Sequence, residues 1–270
     1  MNVDPPEDSD APEPPALIVR GFGKTYAAHV AVQDLSFEVR AGEILGLVGP
    51  NGAGKTTTLR SIAGILPIQS GRILLAGYDV ATEEELAKAE LGWVPDDPQP
   101  FDALTVTEHL EFTAHLYGVT DWRDRAGELL ETFDLSAKHD ALGGELSRGM
   151  RQKLAIACAW LSNPKVVLLD EPLAGLDPRG IRTARSAIRM LADEGVAVIL
   201  STHLLELIEA MADRILIMDK GRRLFGGTLA EARERITAAP GTSLEELFLA
   251  ATEGTQADEE ASAEADRQGA

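Results

Sequence analysis

Residues Gly49-Pro50-Asn51-Gly52-Ala53-Gly54-Lys55-Thr56 fit the pattern G-x-x-x-x-G-K-[S/T]. The chemistry this suits is phosphate binding. Glycines let backbone N–H groups converge on phosphate oxygens with no Cβ in the way. The positive end of a following helix adds attraction for an anion. Lys55 would then sit over β- and γ-phosphates, and the Thr56 hydroxyl would ligate Mg²⁺. A second acidic centre follows at Val166-Val167-Leu168-Leu169-Asp170-Glu171, an apolar run that ends in two carboxylates. A strand buried on both faces can carry acids only where its tip emerges, and in open α/β sheets that edge is the ligand side. Asp170 is placed to hold Mg²⁺, directly or through water. Glu171 would polarise a water for attack on the γ-phosphate.

Those groups need elements to hold them. Apolar, β-branched runs at Leu17–Arg20, Leu35–Val39, Ile44–Val48, Arg72–Leu75, Leu91–Pro95, Val166–Asp170, Ala197–Ser201 and Arg214–Met218 predict strands. Helical patterns occupy Lys55–Ala63, Val106–Tyr117, Trp122–Phe133, Ser147–Leu161, Arg179–Ala192 and Leu204–Met211. The alternation predicts an α/β domain with a largely parallel core sheet. Residues 100–162 break the rhythm and read as helical throughout, a helical subdomain inserted in the core. Residues 226–250 read as two short appended helices. No internal repeat is present.

Further motifs bring the chain to a known family. Leu146-Ser147-Arg148-Gly149-Met150-Arg151-Gln152 resembles the LSGGQ signature of ABC ATPases, 23 residues before Asp170. Leu176-Asp177 resembles the family's D-loop, and Ser201-Thr202-His203 its switch-histidine loop. Tyr26 stands where the adenine-stacking aromatic would be. The resemblance covers about 16–225. It implies a P-loop NTPase fold of the ABC ATPase type: α/β, a mainly parallel sheet, an N-terminal antiparallel β part and an inserted helical subdomain at about 97–162. It further implies ATP held by Tyr26, Gly49, Pro50, Asn51, Gly52, Ala53, Gly54, Lys55, Thr56 and Thr57. Ser147, Gly149 and Asp177 would complete the site, the first two from a partner subunit in a head-to-tail dimer. Glu171, His203 and Lys55 would be the catalytic residues, and Thr56, Asp170 and Asp96 the metal-binding ones.

Two departures from the family pattern stand out. Arg148 replaces the usual first signature glycine. After Leu91-Gly92-Trp93-Val94-Pro95 the family has glutamine, whereas this chain has Asp96-Asp97-Pro98-Gln99. Asp96 takes that place here, with Gln99 as the other stand-in. A carboxylate there can bind hydrated Mg²⁺ but adds negative charge beside the triphosphate.

Composition narrows the function further. The 270 residues carry a net charge of −19, from 25 basic and 44 acidic side chains. Residues 1–16 hold five acids and no base, and residues 252–270 six acids and one arginine, which leaves about −9 on the body. An acidic body argues against nucleic-acid binding, which needs clustered Lys and Arg. The Pro-rich segment 1–15 and the segment 252–270 read as disordered tails, flanking a domain at 16–225 and accessory helices at 226–251. Cys158, the single cysteine, sits in an apolar helical run and reads as a buried structural thiol. Trp122 and Trp160 read as packing residues, and His29, His109, His115 and His139 lack ligand spacing. The chain carries neither a signal-peptide pattern nor an apolar run of membrane-spanning length.

The resemblance therefore predicts the ATP-hydrolysing subunit of an export-type transporter, with ATP and Mg²⁺ as cofactors. It would power a separate membrane permease, pair with a second copy or a paralogue, and lie in the cytoplasm on the inner face of the membrane. A soluble ABC ATPase acting in translation or DNA maintenance is the alternative. Only 92 residues separate Lys55 from Ser147, too few for a long coiled-coil arm, and the chain holds one cassette. A P-loop kinase or GTPase would leave 146–152 unexplained, and no N-K-x-D sequence is present.

Overall fold

A computed structural model describes residues 14–235 together with 244 and 246. Both tails and most of the second appended helix lie outside the described residues. The centre is a six-stranded sheet of β3 (Ile44–Val48), β6 (Leu91–Val94), β7 (Val166–Asp170), β8 (Ala197–Ser201), β9 (Arg214–Asp219) and β10 (Arg222–Gly227), in the order β10-β9-β3-β8-β7-β6. All neighbours pair in parallel except β10, which returns antiparallel to β9. A second, antiparallel sheet, β2-β1-β4-β5, is built from β1 (Leu17–Tyr26), β2 (His29–Val39), β4 (Ser70–Leu75) and β5 (Tyr78–Asp79). This is the α/β architecture that the alternation predicts, with the N-terminal antiparallel part that the resemblance implies.

Successive side chains of the central strands point to opposite faces, and both faces are covered. Val167, Leu169, Val198, Leu200, Ile215 and Ile217 pack into one core with the helices. Val166, Leu168, Ala197, Ile199, Leu216 and Met218 pack into a second core with the antiparallel sheet and α1 (Lys55–Ile62). Double-sided burial explains why these strands read as unbroken apolar runs.

The remaining helices are α2 (Glu84–Ala89), α3 (Val106–Leu116), α4 (Trp122–Thr132), α5 (Arg148–Leu161), α6 (Pro178–Asp193), α7 (Leu205–Met211) and α8 (Leu229–Arg235). Three sequence expectations need correction. The segment 100–162 is not helical throughout. A loop precedes α3, a bridge pairs Thr105 with Leu142, and 3₁₀ turns occupy Ser136–Lys138 and Gly143–Glu145. Prolines 95, 98 and 100 withhold N–H donors and bias their predecessors to extended backbone, so no helix propagates there. The strand β10 and the short elements β5 and α2 were unforeseen, and β10 runs into the stretch read as appended helix. Its Arg222-Arg223-Leu224-Phe225-Gly226-Gly227 sequence is that of an edge strand, carrying charge and glycine where an inner strand is apolar.

Candidate functional site

Parallel pairing delivers the carboxyl ends of β3, β6, β7 and β8 to one edge of the sheet. Asp170 pairs in register with Ser201, and Val94 with Leu169. The loop after β3 therefore opens beside the acidic tip of β7. Two of its glycines are required by geometry. A Cβ at Gly49 would collide with the Met218 carbonyl. Gly54 has φ of 101°, and its Cβ would fall 2.5 Å from the Ala31 carbonyl oxygen. The β9–β10 turn braces the loop from behind, with Gly221 N–H donating to the Ala53 carbonyl at 3.2 Å.

Gly54 opens α1 with no side-chain cap, so the first N–H groups of the helix face the loop as donors for a ligand. Lys55 Nζ donates to the carbonyls of Gly49 and Pro50 at 2.6 and 3.1 Å, which holds the ammonium over the cradle. Burial lowers the pKa of Lys55 from its ordinary value, and the charges of Glu171 and Asp170 oppose that fall. Asp170 is 2% exposed. Its Oδ1 accepts from Ser201 Oγ at 2.6 Å and lies 3.4 Å from Thr56 Oγ1. The Asp170 and Thr56 oxygens form a hard donor pair of the kind Mg²⁺ takes when phosphates and waters supply its remaining ligands.

Glu171 follows with φ of 50°, a left-handed backbone that costs a non-glycine residue of order 1 kcal/mol or more. The turn separates its carboxylate from that of Asp170. Glu171 Oε2 lies 2.9 Å from His203 Nδ1, beyond the end of β8. A cavity of about 320 Å³ is lined by Asn51 to Thr57, Asp96, Asp170, Glu171 and Tyr26, with Gly49, Pro50 and His203 outside its lining. Tyr26 is 43% exposed, which excludes a core role and leaves its ring free to stack on a base. Lys24 Nζ lies 5.7 Å from the centre of that ring.

His29 and Ala31 also line the cavity. No role was assigned to His29 from the sequence. The tight turn at Ala27, with φ of 50°, folds β2 back on β1 and pairs His29 with Tyr26. Reading Tyr26 and His29 as the two ends of one hairpin would have found it.

Ser147, Gly149 and Asp177 do not line the cavity. Ser147 caps α5, accepting from Met150 N–H at 3.3 Å, and Asp177 caps α6, accepting from Gly180 N–H at 2.7 Å. Gly149 packs against Gly175 and Leu176, so these residues form a second patch where α5 meets the loop before α6. Gln99 bonds to Asp97 at 2.7 Å, while Asp96 lines the cavity. Of the two stand-ins, Asp96 is the one beside the phosphate cradle.

A profile of the ABC transporter family matches residues 32–174. The ABC-type transporter ATP-binding protein EcsA of Bacillus subtilis (strain 168) is 33% identical over 87% of this chain and 96% of its own length. The lipopolysaccharide export system ATP-binding protein LptB of Escherichia coli (strain K12) is 35% identical over 80% of this chain and 91% of its own length. A solved structure of an ATP-binding subunit of an ABC transporter superimposes with a TM-score of 0.84 at 33% identity, covering 88% of this chain and 99% of the other.

Proposed function

The chain belongs to the ABC transporter ATP-binding family and hydrolyses ATP, and from that premise we propose that it drives a separate membrane permease, in the direction of export. The observation that carries the site reading is the convergence of Lys55, Thr56, Asp170 and Glu171 on one cavity under an exposed Tyr26. In this reading the adenine stacks on Tyr26, and the triphosphate lies across Gly49–Thr57. Lys55 holds the β- and γ-phosphates. Thr56 and Asp170 hold Mg²⁺, aided by Asp96. The metal supplies charge neutralisation of the phosphate oxygens. Glu171 accepts a proton from the attacking water, and His203, 2.9 Å away, orients that carboxylate.

Ser147 and Gly149 serve a second subunit. One loop leaves part of the triphosphate open to water, and the start of α5, apart from the cavity of its own chain, can close over the γ-phosphate of a partner. ATP then holds a head-to-tail pair shut, and hydrolysis releases it. The pair is formed with a second copy or a paralogue, and Asp177 lies at the seam. We take 16–225 as the ATPase domain and 97–162 as its helical subdomain.

Export is supported by the likeness to LptB, whose own system is named for it. Among the described residues no helix is long and apolar enough to cross a membrane, and in this reading the permease supplies the membrane-spanning part. An exposed apolar surface on the helical subdomain suits such a partner: Phe101 is 58% exposed and meets the ring of exposed Phe112, and Leu116, also exposed, follows one turn along α3. The chain would then sit on the cytoplasmic face of the membrane, with no nucleic-acid partner. The test is affinity purification from detergent-solubilised native membranes. A polytopic membrane protein in stoichiometric amount is the expected result; recovery only with ribosomal or nucleoid proteins overturns the reading.

A further inference from the structure

Until Mg²⁺ is bound, the nucleotide cavity has an unfavourable charge balance for a triphosphate. Its lining holds one cation, Lys55, against the three carboxylates Asp96, Asp170 and Glu171. Asp170 and Glu171 are accounted for, one by Ser201 and Thr56, the other by His203. Asp96 stands at the rim, and among the described residues no ion pair joins it to the cradle. Its counter-charge comes from 52 residues further on. Arg148 Nη2 lies 3.7 Å from Asp96 Oδ1.

Arg148 reaches there along a defined path. It is the first residue of α5, and its side chain crosses Gly175, so closely that a Cβ at 175 would fall 3.0 Å from Arg148 Cδ. Gly175 has φ of 76°, so its conformation and its missing side chain both serve this crossing. One guanidinium thus touches the rim of the cavity, the start of α5 and the loop that leads to Asp177. Both charges are more than half exposed, so the pair adds almost nothing to folding stability. Its effect is on the field at the rim, where a triphosphate must approach a carboxylate.

We propose that Arg148 is a positioning residue for ATP in its own subunit: by pairing with Asp96 it neutralises the acidic rim of the nucleotide cavity, so that ATP affinity depends on where the start of α5 stands. This is distinct from any role of Arg148 toward a partner's nucleotide, and it rests on the reading of the Gly49–Thr57 cavity as the ATP site. Displacing α5 by the width of one side chain breaks the pair and re-exposes the Asp96 charge.

The experiment is equilibrium binding of a fluorescent N-methylanthraniloyl ATP to dilute, unassociated subunits, with EDTA in place of Mg²⁺ so that Asp96 acts on the triphosphate as a charge and not as a metal ligand. Four variants are compared with the parent: Arg148→Ala, Arg148→Lys, Asp96→Gln and the double variant Arg148→Ala/Asp96→Gln. Arg148→Ala is expected to weaken binding roughly three- to tenfold, the scale of one like charge in a partly screened site. Arg148→Lys should keep most of the affinity, because it keeps the charge. The double variant should bind like Asp96→Gln alone, and the Arg148→Ala loss should shrink as salt is raised from about 0.05 to 0.5 M. An unchanged affinity in Arg148→Ala, or the same loss in the Asp96→Gln background, overturns the proposal. Lys55→Ala serves as the control for the cavity: undiminished binding there overturns the site assignment itself.

Discussion

His203 Nδ1 lies 2.9 Å from Glu171 Oε2, joining the residue after β7 to the loop after β8. The two strands are neighbours, and Asp170 and Ser201, one residue before Glu171 and two before His203, pair in register. The contact is therefore built by the sheet itself. Glu171→Gln keeps the shape but cannot accept a proton. It is expected to bind ATP and to slow hydrolysis about 10²- to 10⁴-fold. ATP-bound pairs should accumulate in light scattering. Monomers at saturating ATP would count against the closed-pair mechanism, and unchanged turnover against Glu171 as the base.

Lys55 is buried against two backbone carbonyls, and its charge is held there at a desolvation cost that Asp170 and Glu171 partly offset. Lys55→Ala removes the cation over the phosphates while leaving the loop glycines in place. Hydrolysis should fall about a hundredfold or more. A phosphate-release assay in which the variant matched the parent would remove Lys55 from the mechanism.

Trp160 is 4% exposed, yet its Nε1–H donates to Glu194 Oε2 at 2.8 Å. Arg125 lies over the indole, 4.8 Å from its centre, and donates to both oxygens of Glu194 at 3.2 Å. This cluster ties α4 and α5 to the end of α6. Glu194→Ala strands a buried donor, which costs about 1–3 kcal/mol. For a chain of this size that lowers Tm by about 5 °C. Glu194→Gln keeps an acceptor and should recover most of it; equal melting of parent and Glu194→Ala would refute the cluster's role.

Cys158 is half-buried rather than sealed in the core as its apolar run suggests, yet the packing around its sulfur pushes the thiol from 9.0 up to about 11, with Thr113 pulling the other way. At about pH 8 only about one molecule in a thousand carries the thiolate. Ellman's reagent should therefore label the native chain far more slowly than the unfolded one. The folded value lies above the ordinary value, so the fold favours the protonated form. That contribution to stability is complete below pH 9.0 and is lost as pH rises through about 11. The stability difference between the parent and Cys158→Ala should shrink across that window. A difference that stays flat, or rapid labelling of the native chain, would contradict the raised thiol value.

The chemistry-bearing segments declare themselves in sequence because each acts over a short span. Gly49 to Thr56 is one turn and the first residues of a helix, and Val166 to Glu171 is one strand with its tip. Their types follow from local demands: glycine where a Cβ would collide, an acid where a strand emerges. The central strands were legible because burial on both faces leaves them uniformly apolar. The edge strand β10 and the pieces β5 and α2 were not, since little of each is buried and their residues carry no single period.

The tertiary structure alone decided which distant groups meet. His29 joins the cavity because a hairpin turns at Ala27, and Arg148 meets Asp96 because α5 packs where Gly175 lets a guanidinium pass. Trp160 finds Glu194 across two helices. Such contacts depend on the relative placement of elements dozens of residues apart. That placement is set by the packing of the whole core, and no local spacing encodes it.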